Sequence, residues 1–157
     1  MAKLYLMTGI PGSGKTTYIQ KNLEGNEIHI SRDTVRFSML DINDDYFAKE
    51  KAVFKEWIYL IQKNLDMGVD VYADATHLTK NSRQKTLNAL KLNNHSVHVV
   101  NIITNLDVAL KRNKKRSGRA YVPEEVIKNM KISYIPATLN ENLLYKSVTS
   151  VRGGNGY

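Results

Sequence analysis

Gly9-Ile10-Pro11-Gly12-Ser13-Gly14-Lys15-Thr16-Thr17 fits the pattern G-x-x-x-x-G-K-[ST], with an apolar run, Leu4-Tyr5-Leu6-Met7, before it and a helical stretch from Thr16 to Leu23 after it. Strand, glycine-rich turn and helix in that order make a phosphate-binding loop. Its glycines let backbone N–H groups turn inward around phosphate oxygens, and the helix N-terminus adds positive potential. Lys15 is placed to reach the β- and γ-phosphates, and the Thr16 hydroxyl to help hold Mg²⁺. The stretch predicts a site for ATP or another nucleoside triphosphate.

Outward from this loop, short apolar runs alternate with helical patterns, which predicts βαβ units and an α/β P-loop fold with a parallel sheet of four or five strands flanked by helices. Strands are expected at Glu27-Ile28-His29-Ile30, Val69 to Ala73 and Val97 to Ile103, with a further one between Leu143 and Val151. A short helix should run from Arg32 to about Leu40. A long amphipathic helix is expected from Asp44 to Met67, where Phe47, Phe54, Trp57, Ile58, Ile61 and Leu65 recur at helical spacing. Further helices are predicted over 81–92, from Leu106 into a basic run, and from Glu124 to about Tyr134 behind Pro123. Residues 1–151 read as one domain and 152–157 as a flexible tail.

The chain has 157 residues, no cysteine and a net charge of +8. It lacks the apolar run that a membrane helix needs, and its N-terminal apolar run leads straight into the loop, so neither a membrane span nor a signal peptide is expected. A cytoplasmic location fits the absent cysteine. The charge is unevenly placed. Residues 1–79 carry 9 basic and 11 acidic side chains, whereas residues 80–131 carry 12 and 3. Such a segment suits a polyanionic partner, or is a solvated helix surface.

Three clusters fall at predicted carboxyl ends of strands, where ligands gather in parallel sheets: the loop itself, Ser31-Arg32-Asp33 with Arg36, and Asp74-Ala75-Thr76-His77. Asp33 and Arg36 share one helical face, so a carboxylate able to take a proton lies beside a cation able to hold an anion; Asp33 reads equally as a helix N-cap. Asp74 either supports Mg²⁺ or caps the following turn. The run Lys111 to Arg119 holds six cations, with Arg112 and Arg116 four apart on one helical face. Cations of that kind suit a lid over a transferring phosphoryl group, or a nucleic-acid patch without catalytic role. The histidines show no metal-ligand spacing and read as structural, His77 being a weaker candidate for a substrate contact.

Four stretches together resemble the 5′-kinase domain of phage-type polynucleotide kinases: residues 9–17, S-R-D-T-V-R at 31–36, D-A-T-H at 74–77, and K-R-N-K-K-R at 111–116 followed by Val122-Pro123. The resemblance spans roughly residues 3–135. It implies ATP-dependent phosphorylation of a DNA or RNA 5′-hydroxyl, as in nucleic-acid repair, with no obligate protein partner. Asp33 would be the general base, and Arg36 would hold a phosphate. Arg112 and Arg116 would belong to a lid at about 111–122, with Arg119 a competitor for Arg116. Asp74, Thr76 and Val122 would shape the acceptor site. Thr34 stands where the family usually has a second acidic residue. No Asp-x-Asp-Gly phosphatase signature is present, so kinase activity alone is expected. Two other readings share many of these residues: a small-molecule or zeta-toxin-like kinase, and a nucleotide-dependent nucleic-acid-binding module without turnover.

Overall fold

The computed structural model describes residues 1–153. Five strands, β1 (Lys3–Thr8), β2 (Glu27–Ser31), β3 (Asp70–Asp74), β4 (Ser96–Ile103) and β5 (Tyr145–Arg152), form one sheet in the order β2-β3-β1-β4-β5. All pairings are parallel. The expected α/β class and strand number hold. Six helices connect the strands: α1 (Lys15–Asn22), α2 (Arg32–Met39), α3 (Glu50–Asp66), α4 (Lys80–Asn88), α5 (Leu106–Lys114) and α6 (Glu124–Ser133).

A parallel sheet is covered on both faces, so its three inner strands, β1, β3 and β4, are largely buried. Leu4, Leu6, Val71, Val97 and Val99 pack under Val53, Trp57, Ile61 and Leu65 of α3. Met7, Tyr72, Val100 and Ile102 face the other way, onto Ile19 of α1. Trp57 is fully buried, and its indole N–H donates to the Ile30 carbonyl at 2.9 Å, so it is core as expected.

Two expectations are corrected. The helix predicted from Asp44 begins only at Glu50. In the preceding 41–49 segment Asp44 accepts from the Asp41 amide, and further turn bonds join Asp44 to Asp41 and Ala48 to Asp45. These local bonds satisfy the backbone without a helix. Phe47 is therefore not part of the core stripe and is 62% exposed. The tail was expected to start at Arg152, but Arg152 ends β5, and the Gly153 amide donates to the Ile103 carbonyl at 2.8 Å. The rest of that stretch lies outside the described residues.

A polar pair that periodicity did not reveal closes the far side of the sheet. Arg83 of α4 is fully buried and bonds the Glu141 carboxylate at 2.5 and 2.9 Å and the His77 carbonyl at 2.8 Å. Burial works against the Glu141 charge, but bonds from Arg83 and Tyr145 outweigh it and hold the carboxyl below its usual range. Removing one partner of such a pair strands the other charge. Glu141→Ala should lose about 3–5 kcal/mol of stability in urea denaturation. Because the native pKa is depressed, the wild-type advantage should be complete above the ordinary glutamate range and fade as pH falls below it.

Candidate active site

The sheet places three functional turns side by side at the carboxyl ends of β1, β3 and β2. β1 is central, and the loop that follows it is tied to the turn after β3 by a bond from the Gly9 amide to the Thr76 carbonyl at 2.9 Å. Gly12 and Gly14 adopt positive φ, 79° and 102°, which turns successive amides inward as a phosphate cradle requires. A Cβ on Gly12 would stand 2.6 Å from the Ala109 carbonyl of α5, so glycine here also sets how closely α5 approaches the loop. From behind, the Thr104 hydroxyl donates to the Ser13 carbonyl at 2.9 Å and to that of Gly153.

A cleft of about 1090 Å³ opens in front of this loop. Pro11, Gly12, Ser13, Gly14, Lys15, Thr16 and Thr17 line its floor; Asp33, Arg36, Asp74, Thr76, Arg112, Arg116 and Val122 line its walls. The structure thus brings together every predicted site residue except Gly9, which lies behind the loop's turn. Lys15 Nζ donates to the carbonyls of Gly9 and Ile10 at 2.9 and 3.2 Å. Burial pushes its pKa down, as does Arg116, while Asp74 and Asp33 oppose them. Asp74 is buried and accepts from, or shares a proton with, His29 Nε2 at 2.8 Å. Burial raises its pKa, but the His29 bond and the Lys15 charge lower it further, so the carboxylate is ionised.

Both capping alternatives are excluded. Ser31 caps α2, its hydroxyl accepting from the Thr34 amide at 3.2 Å, and Thr79 with Ser82 caps α4. Asp33 instead stands on the first turn of α2 with its side chain 55% exposed to the cleft. His77 borders the cleft, but both of its ring nitrogens are used within the protein. It is buried, with Nδ1 bonded to the Met7 carbonyl and Nε2 to the Thr86 hydroxyl, and burial lowers its pKa to about 4.

Arg36 differs from expectation. Its guanidinium is almost wholly covered, and Nε, Nη1 and Nη2 all donate within the protein. Nε and Nη2 bond the Glu50 carboxylate at 2.8–3.2 Å, and Nη1 bonds Asp33 and, at 2.6 Å, the Tyr46 hydroxyl. A phosphate could be gripped only by displacing one of these partners. Glu50 and Tyr46 escape the sequence reading because the stretch from Asp44 onward reads as the first turns of a helix, with Phe47 in its apolar stripe.

The basic run also rearranges. α5 ends at Lys114, so Arg116 does not share a helical face with Arg112, although both line the cleft. Arg112 Nη1 donates to the Gly12 carbonyl at 3.3 Å. Arg119 reaches across to the carbonyls of Leu40 and Asp41 at 3.4 and 2.7 Å, joining the 118–120 turn to the end of α2. Buried Asn113 pins Val122 by two bonds, to its amide and its carbonyl, at 2.9 and 2.6 Å. Among the described residues no group of three or more acidic or histidine side chains could hold a metal. Thr16 and Asp74, which line the same cleft, suit an ion that would take its other ligands from phosphates and water.

The strand order, the loop after the central strand and the acidic end of its neighbour define a P-loop kinase fold. The chain belongs to the AAA domain family, which it matches over residues 4–137. It is 30% identical over 140 residues to a protein of Autographa californica nuclear polyhedrosis virus named as a bifunctional polynucleotide kinase/RNA ligase, covering 80% of this chain and 20% of that one. The chain thus spans about a fifth of this relative's length. A chain of the Pnkp1/Rnl/Hen1 RNA repair complex superposes with a TM-score of 0.71 at 23% identity, over 84% of this chain and 43% of its own. A fungal RNA kinase gives 0.68 at 15%, over 99% and 76%. A sugar kinase from Janibacter sp. HTCC2649 gives 0.65 at 16%, over 97% and 86%. These structural likenesses establish the fold, and the viral relative agrees with the resemblance read from the sequence.

Nucleotide binding is the property the loop geometry controls most directly. Gly12→Ala should weaken ATP binding by roughly tenfold or more in calorimetry, by driving a Cβ against α5 at a positive φ. Gly25→Ala, strained in the same way but with nothing near its Cβ, should bind ATP as the wild type does.

Proposed function

We propose that this protein transfers the γ-phosphoryl group of ATP, or another nucleoside triphosphate, to the 5′-hydroxyl end of DNA or RNA. The observation that carries the reading is Asp33: an exposed carboxylate in the same cleft as the phosphate loop, with the charges of Lys15 and Arg116 close by. The acceptor oxygen bonds to the γ-phosphorus as the bridge to the β-phosphate breaks, and Asp33 receives the hydroxyl proton. Lys15 and the loop amides hold the triphosphate. Mg²⁺, held by Thr16 and the phosphates with Asp74 nearby, would neutralise charge on the phosphate oxygens. Residues 111–122 act as the lid. Arg116 is the arginine that reaches the transferring group, since Arg119 is turned toward Leu40 and Asp41. Val122, pinned by Asn113, and Thr76 border the acceptor.

A small-molecule acceptor is the second reading, and one observation favours it. Some cations of the basic segment are committed away from the cleft: Arg83 on Glu141 and Lys131 on the Thr104 carbonyl, while Lys114 and Lys128 stand on the surface beside Glu124 and Glu125. The cations of the segment that line the cleft are Lys85, Arg112, Arg116 and Arg119. They support a short stretch of strand near its end rather than an extended channel.

The test is transfer of labelled γ-phosphate to a 5′-hydroxyl oligonucleotide. Asp33→Ala should lower the rate by about 10²–10⁴-fold with ATP still bound. Rising salt should raise the KM for the oligonucleotide and leave that for ATP little changed. A wild-type protein that binds ATP but labels neither DNA nor RNA would sink the proposal.

A further inference from the structure

Asp33 has only one oxygen committed within the protein. Its Oδ1 accepts from Arg36 Nη1 and from the Tyr46 hydroxyl, the latter at 2.5 Å; among the described residues no donor reaches Oδ2. Arg36 Nη1 also donates to the Tyr46 oxygen at 2.6 Å, so the single phenolic proton is left to point at the carboxylate. The guanidinium Cζ sits over the phenol ring, 4.2 Å from its centroid, and Glu50 holds the Nε and Nη2 side. Phe37 and Phe47 meet the Tyr46 ring edge-on, at 6.2 and 4.6 Å between centroids. The ring is therefore fixed on three sides. Burial and the adjacent Asp33 charge push the phenol's pKa up, so the donor is kept across the working pH range.

We propose that Tyr46 is a positioning residue for the base: its hydroxyl, together with Arg36, fixes Oδ1 of Asp33 and leaves Oδ2 as the oxygen that takes the acceptor proton. The inference rests on the reading of Asp33 as general base. In the step concerned the acceptor O–H bond breaks and its proton passes to Oδ2. The acceptor oxygen bonds to the γ-phosphorus, and the bridging oxygen leaves with the nucleoside diphosphate. Nothing in this requires Tyr46 to touch substrate. Its effect is on the direction in which the free oxygen points, and a misplacement of about 1 Å at a reacting centre costs on the order of 10²-fold in rate.

Tyr46→Phe keeps the ring against Arg36 and removes only the donor. It should lower kcat by roughly 10- to 100-fold, with KM for ATP and for the oligonucleotide within about twofold of wild type and an unchanged melting temperature. In an Asp33→Ala background, under single-turnover conditions, the same change should have no further effect, because the two act as one unit. Tyr46→His, which returns an N–H donor on a ring, should recover part of the loss and provides a second variant if the Phe protein folds poorly. A wild-type kcat in Tyr46→Phe overturns the proposal. So does an equal slowing in the presence and absence of the Asp33 carboxylate, or a loss confined to KM. A wild-type protein that phosphorylates no oligonucleotide removes the base reading itself and the proposal with it; that failure is seen before any Tyr46 variant is made.

Discussion

The hydrogen bonds that hold β1 between β3 and β4 are the constraint on which the site depends. Leu4 to Leu6 pair with Val71 to Ala73 on one side, and Lys3 to Thr8 pair with Ser96 to Asn101 on the other. This strand ends in the phosphate loop, so the loop's position is as fixed as the middle of a sheet buried on both faces can be. The Gly9–Thr76 bond then passes that position to the turn after β3, and the Gly12–Ala109 approach passes it to α5. Arg112 and Asp74 are therefore placed by backbone geometry before any ligand contributes.

The acceptor side is built differently. There the side chains are positioned by one another: Glu50 holds Arg32 and Arg36, Arg36 holds Asp33, and Tyr46 closes the group. A network of charges of this kind is rigid only while every member is satisfied. It joins α2 to α3 through a segment that lacks regular structure, and Arg119 reaches the start of that segment from the far wall of the cleft. The phosphate-loop half of the cleft thus rests on the sheet and the Asp33 half on a polar brace between two helices.

The difference also decides what the sequence could reveal. The phosphate loop, Asp33 and Asp74 are legible because each sits at a fixed step from an apolar strand, and the five parallel strands follow from runs such as Val97 to Ile103. Tyr46 and Glu50 are not legible. Asp41, Asp44 and Asp45 satisfy their own backbone locally, and that competition with the helix leaves no trace in the periodicity of Phe47, Phe54 and Trp57. Arg83 with Glu141, and Arg119 with the end of α2, join residues 58 and 78–79 positions apart. A pattern read along the chain carries no information on pairings of that range. The basic run illustrates the same limit: its composition is plain, yet which of its cations face the cleft is set by where α5 stops.

The support behind the phosphate loop has a consequence for the order in which the protein matures. Thr104 braces the Ser13 carbonyl and the Gly153 carbonyl with one hydroxyl, and Gly153 can lie there because a side chain would collide with the loop backbone. The loop sequence leaves the ribosome ahead of β4, Thr104 and the end of β5, which follow about a hundred residues or more later, at the ~5–20 residues per second of translation. During that interval the nascent chain carries a complete phosphate-binding motif with no wall behind it. The support behind the loop is accordingly completed only once β4 and the end of β5 have docked.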